Sequence, residues 1–337
     1  MWNPDDYLTF LYNSTSLTDR FQGGSQTEWH AWKQSFRERF IQLLGGFPQQ
    51  APPLSVTLLE SVDCGTYRRE RIQIQTFEQL YMPIYVLIPK DAAEEKRRAV
   101  IACHGHGYGS RDIVGLNPDG SDKTGEAGYQ KNFAVELVNR GFLVVAPELL
   151  GFGDRKLVEN AKDGNSCNRI SSFLLAMGRT MAGYRVYETM RCVDYLLERN
   201  DVDAKRIGCM GISGGGLVCS YTTAVDERIS AAVVSGFANT FQASLLSIHH
   251  CIDNYVPGLS LAAEMPDVLS LIAPRPLLLE AGTRDRIFPE QGTLEAYEKL
   301  GSVYSLLDVK DRLALDLFDG EHEISGRVAY DWLDAQL

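Results

Sequence analysis

No apolar run in this sequence is long enough to span a bilayer, which takes about 20 consecutive residues, so no membrane partner is expected. The first residues, Met1-Trp2-Asn3-Pro4-Asp5-Asp6, have neither a basic stretch nor an apolar one, so no secretory signal is expected. Positive charge is scarce: 33 Lys and Arg face 44 Asp and Glu, a formal net charge of −11. A field of that sign repels polyanions, which excludes nucleic acid as a partner. The 7 cysteines are odd in number, scattered and without a Cys-x-x-Cys pair. They read as buried thiols in a reducing, cytoplasmic setting, not as a disulfide framework. No His-Glu-x-x-His and no Cys/His ligand spacing is present, so neither a metal nor a cofactor is expected.

The 337 residues suit one large α/β domain with insertions, and a 45% hydrophobic fraction suffices for a sizeable core. Trp29, Trp32, Phe36, Phe40 and Leu43 recur at three- and four-residue steps and predict an amphipathic helix over 27–43, closed by Gly45-Gly46 and nearby prolines. Strands are expected at 54–63, 67–76 and 80–89, the third an edge strand because it contains Pro83. The cluster Glu95-Lys96-Arg97-Arg98 reads as a solvated loop.

From residue 99 short apolar strands alternate with helix-length segments. Strands are expected at 99–103, 142–146, 206–210, 229–234, 276–279 and 314–318. Helices are expected near 130–140, 177–199, 214–225, 290–300 and 324–335. That alternation predicts a mostly parallel central sheet flanked by helices. Residues 1–80 form an N-terminal extension packed on the core, and 81–337 the main domain. Residues 237–270 interrupt the alternation and read as a cap-like insertion over the carboxyl edge of the sheet, where such folds bind ligands.

Gly211-Ile212-Ser213-Gly214-Gly215 matches Gly-x-Ser-x-Gly between an expected strand and an expected helix. A sharp strand-to-helix turn there exposes the serine hydroxyl and aims backbone N–H groups at a developing oxyanion. The bland alternatives are a packing turn or a phosphate loop, but a Walker lysine is missing. A serine needs a base. Of the six histidines, His322 in Asp319-Gly320-Glu321-His322-Glu323 follows the last strand and fits the order Ser, acid, His. Asp285, just beyond the strand 276–279, is the candidate acid, with Glu280, Asp308 and Asp311 as competitors. His104-Gly105-His106-Gly107 follows the strand 99–103. The N–H of His106 or Gly107, together with that of Gly214, is the candidate oxyanion hole, and His104 braces the loop. His104 and His106 with His249-His250 could also be read as metal ligands, without a supporting motif. His249, His250 and Tyr255 in the insertion are candidate substrate contacts.

As an ordered set these segments, with Gly151-Phe152-Gly153-Asp154-Arg155 and Ala273-Pro274-Arg275-Pro276, resemble α/β-hydrolases of the dienelactone hydrolase and acetyl xylan esterase type over roughly residues 80–337. The resemblance implies an α/β-hydrolase fold, a triad of Ser213, Asp285 and His322, and cofactor-free hydrolysis of small carboxylic esters, acetylated carbohydrates included. Dienelactone hydrolases carry a cysteine where this chain has Ser213. The expected partner is a small-molecule ester, and a homo-oligomer stays open with the N-terminal segment as a candidate surface. A peptidase of the same fold and a non-catalytic binding scaffold are the alternatives; a propeller of the prolyl-oligopeptidase kind does not fit into residues 1–98.

Overall fold

The alternating segments build nine strands: β1 Thr57–Asp63, β2 Tyr67–Phe77, β3 Leu80–Pro89, β4 Arg97–Cys103, β5 Leu143–Pro147, β6 Val202–Ile212, β7 Ala231–Ser235, β8 Leu277–Gly282 and β9 Leu313–Phe318. The computed structural model describes residues 2–90 and 96–337. All nine strands join one sheet in the order β1-β2-β3-β5-β4-β6-β7-β8-β9. The pairs from β1 to β3 and β3 with β5 are antiparallel, and the pairs from β5 onward are parallel. Strands β4, β5, β7 and β8 are apolar almost throughout because helices cover both faces, leaving no solvated side to alternate toward.

One apolar layer contains Phe40, Ile101, Cys209, Tyr221 and Leu279, and the other contains Val100, Phe133, Val144, Met210 and Leu333. The first layer extends into the N-terminal segment. The helix Gln26–Leu43 starts at a capping box between Ser25 and Glu28 and buries Trp29, Phe36 and Phe40. Phe40 meets Tyr221 edge-on at 4.9 Å, Arg37 Nε donates to the Val225 carbonyl at 3.1 Å, and Lys33 Nζ donates to the Ala273 carbonyl at 2.6 Å. This helix therefore braces the helix Gly214–Val225 from behind. Residues 1–80 are thus part helix laid on the core and part sheet, and the boundary at 80 falls inside the β2–β3 hairpin.

Three local expectations change. Strand β3 is interior, not an edge; the edges are β1 and β9, and β1 is the more exposed of the two. Pro83 is tolerated because its carbonyl accepts from Glu148 N, one residue past β5, so its missing N–H faces the side where that strand has ended. The helix expected over 177–199 is Met181–Glu198, preceded by a separate helix, Cys167–Ala176. Arg97 and Arg98 open β4 in place of a loop, paired with Asp201 and Asp334; Glu95 lies outside the described residues. Among the described residues no helix is long and apolar enough to cross a membrane.

Candidate active site

Strand β6 ends in a turn so tight that Ser213 takes φ 58°, ψ −125°, left-handed for a side-chain-bearing residue, at a cost of about 1–3 kcal/mol. The turn brings Gly211 and Gly215 together: a Cβ on Gly211 would collide with the Gly215 carbonyl, and one on Gly215 with the Cys103 carbonyl. The helix Gly214–Val225 follows at once, its first amides beside the serine.

The loops after β8 and β9 supply the next two groups. Asp285 is buried, and its Oδ1 accepts from the amides of Ile287 (2.7 Å) and Phe288 (3.0 Å). Its Oδ2 lies 2.7 Å from His322 Nδ1. The His322 ring is stacked between Tyr129 (5.6 Å) and Phe288 (5.8 Å), which fixes its plane. Gly236, just past β7 at φ 51°, lies against the same ring: a Cβ there would stand 3.0 Å from His322 Cε1. A cavity of about 370 Å³ is lined by Ser213, His322, His106, Tyr129, His249 and His250, among others.

The competing acids lie elsewhere. Glu280 is buried in β8, where Ser235 Oγ and the amides of Ser325 and Gly326 donate to it. Burial pushes its carboxyl up to about 7, against those hydrogen bonds. Asp308 follows the helix Glu290–Leu306, where Gln26 Nε2 donates to it, and Asp311 lies in the short turn before β9.

His104 is fully buried. Its Nδ1 lies 2.8 Å from the Gly105 carbonyl, and its Nε2 accepts from Leu149 N at 3.1 Å, which makes Nδ1 the protonated nitrogen. Burial pushes its pKa down to about 3, so it is a neutral brace and its 3.5 Å approach to Glu148 is not an ion pair. His106 and Gly107 enter the next turn. Tyr129 Oη donates to the His106 carbonyl at 2.6 Å, and Gln130 Oε1 accepts from Gly105 N at 2.7 Å.

In the insertion, His249 and His250 line the cavity. His250 packs edge-on against Phe288 at 5.5 Å, and burial holds its pKa below the usual imidazole value. Tyr255 does not line it; its hydroxyl donates to the Leu245 carbonyl at 2.8 Å and braces the insertion. Several groups at the site gave no local sequence signal: Tyr129 in an irregular stretch, Gly236 in a turn, and Asp253 beside Cys251. Asp253 is buried, paired with Arg185 at 2.6 Å and 3.2 Å from His106 Nε2. The donor atoms of His106, Cys167, Cys251 and Asp253 lie within 4.8 Å of one another, a set of zinc-type ligands. A cation already serves it, since the Arg185 guanidinium contacts both Asp253 and, at 3.2 Å, Cys167 Sγ.

A mostly parallel sheet with a strand–serine–helix elbow, and an Asp–His pair on the loops after its last two strands, defines an α/β-hydrolase. The chain belongs to the Abhydrolase family, whose model matches residues 17–302. It is 31% identical over 280 residues, 80% of this chain and 87% of the relative, to "Putative hydrolase YtaP" of Bacillus subtilis (strain 168). Among solved structures it is similar in fold to a "putative acetyl xylan esterase" from Bacteroides fragilis NCTC 9343, with TM-score 0.84, 16% identity, and coverage of 100% of this chain and 96% of that one. A glucuronoyl esterase from Solibacter usitatus superposes with TM-score 0.68 at 17% identity, covering 91% of this chain and 93% of that one.

Proposed function

We propose that this protein is a serine carboxylic ester hydrolase acting on small or acetylated esters, carbohydrate esters among them. The observation that carries the reading is the pairing of His322 Nδ1 with the buried, twice amide-bonded Asp285, in a cavity that also holds Ser213 on its strained elbow. In this reading Ser213 Oγ attacks the ester carbonyl carbon and His322 Nε2 takes its proton. The carbonyl π pair becomes an oxyanion, met by the amide of Gly214 and that of His106 or Gly107. Collapse expels the alcohol with the proton from His322. A water, deprotonated by the same imidazole, then cleaves the acyl-enzyme, and the acid leaves from a restored Ser213. Asp285 holds the imidazole in the tautomer with the proton on Nδ1 and stabilises the imidazolium.

The cavity of about 370 Å³ is at the small end for ligand sites and suits a short acyl group. His106 also borders a groove of about 1030 Å³ lined by Tyr108, Arg111, Asp154, Lys156 and Lys162, which suits a polar, sugar-like alcohol. The names of the esterases with this fold favour carbohydrate esters. The seven unpaired cysteines suit a reducing compartment, which favours the cytoplasm.

The test compares wild type with Ser213→Ala on p-nitrophenyl acetate, butyrate and octanoate, and on acetylated xylan oligosaccharides. Turnover of the acetate, falling with chain length and lost by several orders of magnitude in the variant, is expected. Equal activity in the two proteins overturns the proposal.

A further inference from the structure

Cys167, Cys251, Asp253 and His106 come from three separate parts of the chain and meet beside the active-site cavity. Cys167 opens the helix Cys167–Ala176, Cys251 and Asp253 flank Ile252 in the insertion, and His106 lies in the turn after β4. Their donor atoms all fall within 4.8 Å of one another. The insertion turns tightly here and aims its two donors together. The Cys251 carbonyl accepts from Asn254 N at 3.1 Å and from its Nδ2 at 3.2 Å, and the same Nδ2 donates to Asp253 Oδ1 at 3.0 Å.

His106 Nε2 lies 3.2 Å from Asp253 Oδ2, yet it is shielded from solvent and has no hydrogen-bond partner among the described residues. A buried ring nitrogen left so is costly. The separation fits a shared metal ion instead. Zinc bonds of about 2.0–2.1 Å to nitrogen and oxygen, opened at the tetrahedral angle, set an N···O edge of about 3.3 Å. Charge points the same way. Two thiolates and a carboxylate carry three negative charges. Arg185 balances one of them, donating to Asp253 Oδ2 at 2.6 Å and to Cys167 Sγ at 3.2 Å, and two remain for a divalent cation. Such a guanidinium holds ligand atoms in place as an outer hydrogen-bond partner.

We propose that His106 Nε2, Cys167 Sγ, Cys251 Sγ and Asp253 Oδ2 bind one Zn²⁺ in a closed, structural site with Arg185 as its outer partner. Two Zn–S bonds form as two S–H protons pass to solvent, and lone pairs of Nε2 and Oδ2 complete the tetrahedron with no change of oxidation state. Thiolate and imidazole ligands favour zinc over magnesium and calcium, which take oxygen. All four ligands are protein atoms, so no position is left for a reacting water. His106 and Cys251 line the cavity and give the ion its way in. The ion ties the insertion and the helix Cys167–Ala176 to the turn that carries the candidate oxyanion amides. This set shares only His106 with the four histidines read from the sequence, of which His104 already spends Nε2 on Leu149 N. Its members are too scattered along the chain to form a ligand motif.

The experiment loads wild type, Cys167→Ser, Cys251→Ser and Cys64→Ser with zinc chloride in a phosphine reductant, desalts them and measures retained zinc by plasma mass spectrometry. Cys64, between β1 and β2, is the control. About one zinc per wild-type and Cys64→Ser chain is expected, falling about tenfold or more in the other two. Cobalt(II) in place of zinc gives wild type a sulfur-to-metal charge-transfer band that Cys251→Ser lacks. Chelation lowers the wild-type Tm by about 5 °C. Wild type that retains no zinc, which needs no variant to fold, overturns the inference. So does zinc retained undiminished in a folded Cys251→Ser, which would be adventitious surface metal. A titration of unfolded wild type, purified without reductant, that finds five free thiols in place of seven also overturns it, in favour of a Cys167–Cys251 disulfide. None of these readings uses turnover, so they stand or fall apart from the ester-hydrolase reading.

Discussion

Replacing Asp285 by asparagine separates geometry from charge at one atom. Oδ1 of the present carboxylate accepts from Ile287 N and Phe288 N, and an asparagine keeps those bonds by leaving its own Oδ1 in place. Its Nδ2 then falls where Oδ2 now lies, 2.7 Å from His322 Nδ1. That nitrogen can only donate, so His322 must accept at Nδ1 and carry its proton on Nε2. An Nε2–H cannot take the proton of Ser213. Flipping the amide would restore the tautomer but turn an NH₂ against two backbone N–H donors. The expected loss is about 10³–10⁴ in kcat, or about 4–5.5 kcal/mol of barrier, with the fold intact. The assay is kcat/KM on p-nitrophenyl acetate with near-UV circular dichroism as the folding control, and Glu280→Gln run in parallel. Asp285→Asn within tenfold of wild type refutes the reasoning. Loss of turnover in Glu280→Gln alone would move the acid to β8.

Further consequences follow from the same contacts. Gly236→Ala places a methyl 3.0 Å from His322 Cε1 at a backbone φ of 51°, so it should lower kcat by about 10–100-fold and stability by about 1–2 kcal/mol, read by kinetics and urea titration. Glu280, pushed up to about 7 by burial, binds its proton more tightly folded than unfolded. The stability this gives is present below its unfolded value of about 4.3 and is lost as pH rises through about 7, roughly 4 kcal/mol in all. Wild type should therefore lose urea stability between pH 5 and 7.5, with a shallower slope in Glu280→Gln; equal slopes would contradict this. Glu188 accepts two bonds from buried Arg155, at 2.7 and 2.5 Å, and one from Thr76 Oγ1 at 2.8 Å. Glu188→Ala strands the guanidinium and should cost about 3–5 kcal/mol, measured by denaturant titration.

Legibility in the sequence follows how local each feature is. The Ser213 elbow is local, because its strand, glycines and helix are contiguous, and chain order alone singles out His322 among six histidines. Asp285 is separable from Glu280 only in three dimensions, since both sit near the end of one strand and only the loop aims the former at His322. Tyr129 and Asp253 belong to stretches with no motif signal, and Arg185 lies in an expected helix whose pattern does not single it out; they reach the site only through long-range packing. Tyr255 shows the converse, a residue in the right segment whose hydroxyl turns into the insertion. Pro83 misled because proline excludes a ladder bond, and the sequence gives no hint that the neighbouring strand stops one residue short of needing it.

The helix Gln26–Leu43 leaves the ribosome early, yet its partners arrive late. Its contacts run to residues 188, 240 and 280 positions further along the chain, at Val225, Ala273 and Leu306. At about 5–20 residues per second of synthesis, the face bearing Trp29, Phe36 and Phe40 waits roughly 10–60 s for a surface to cover it. A nascent chain with such a face is a substrate for chaperones, and the elbow helix it braces cannot be held from behind until nearly the whole sheet has been made. Synonymous changes that slow translation between codons 45 and 225 would therefore lower soluble yield while leaving the finished enzyme unaltered.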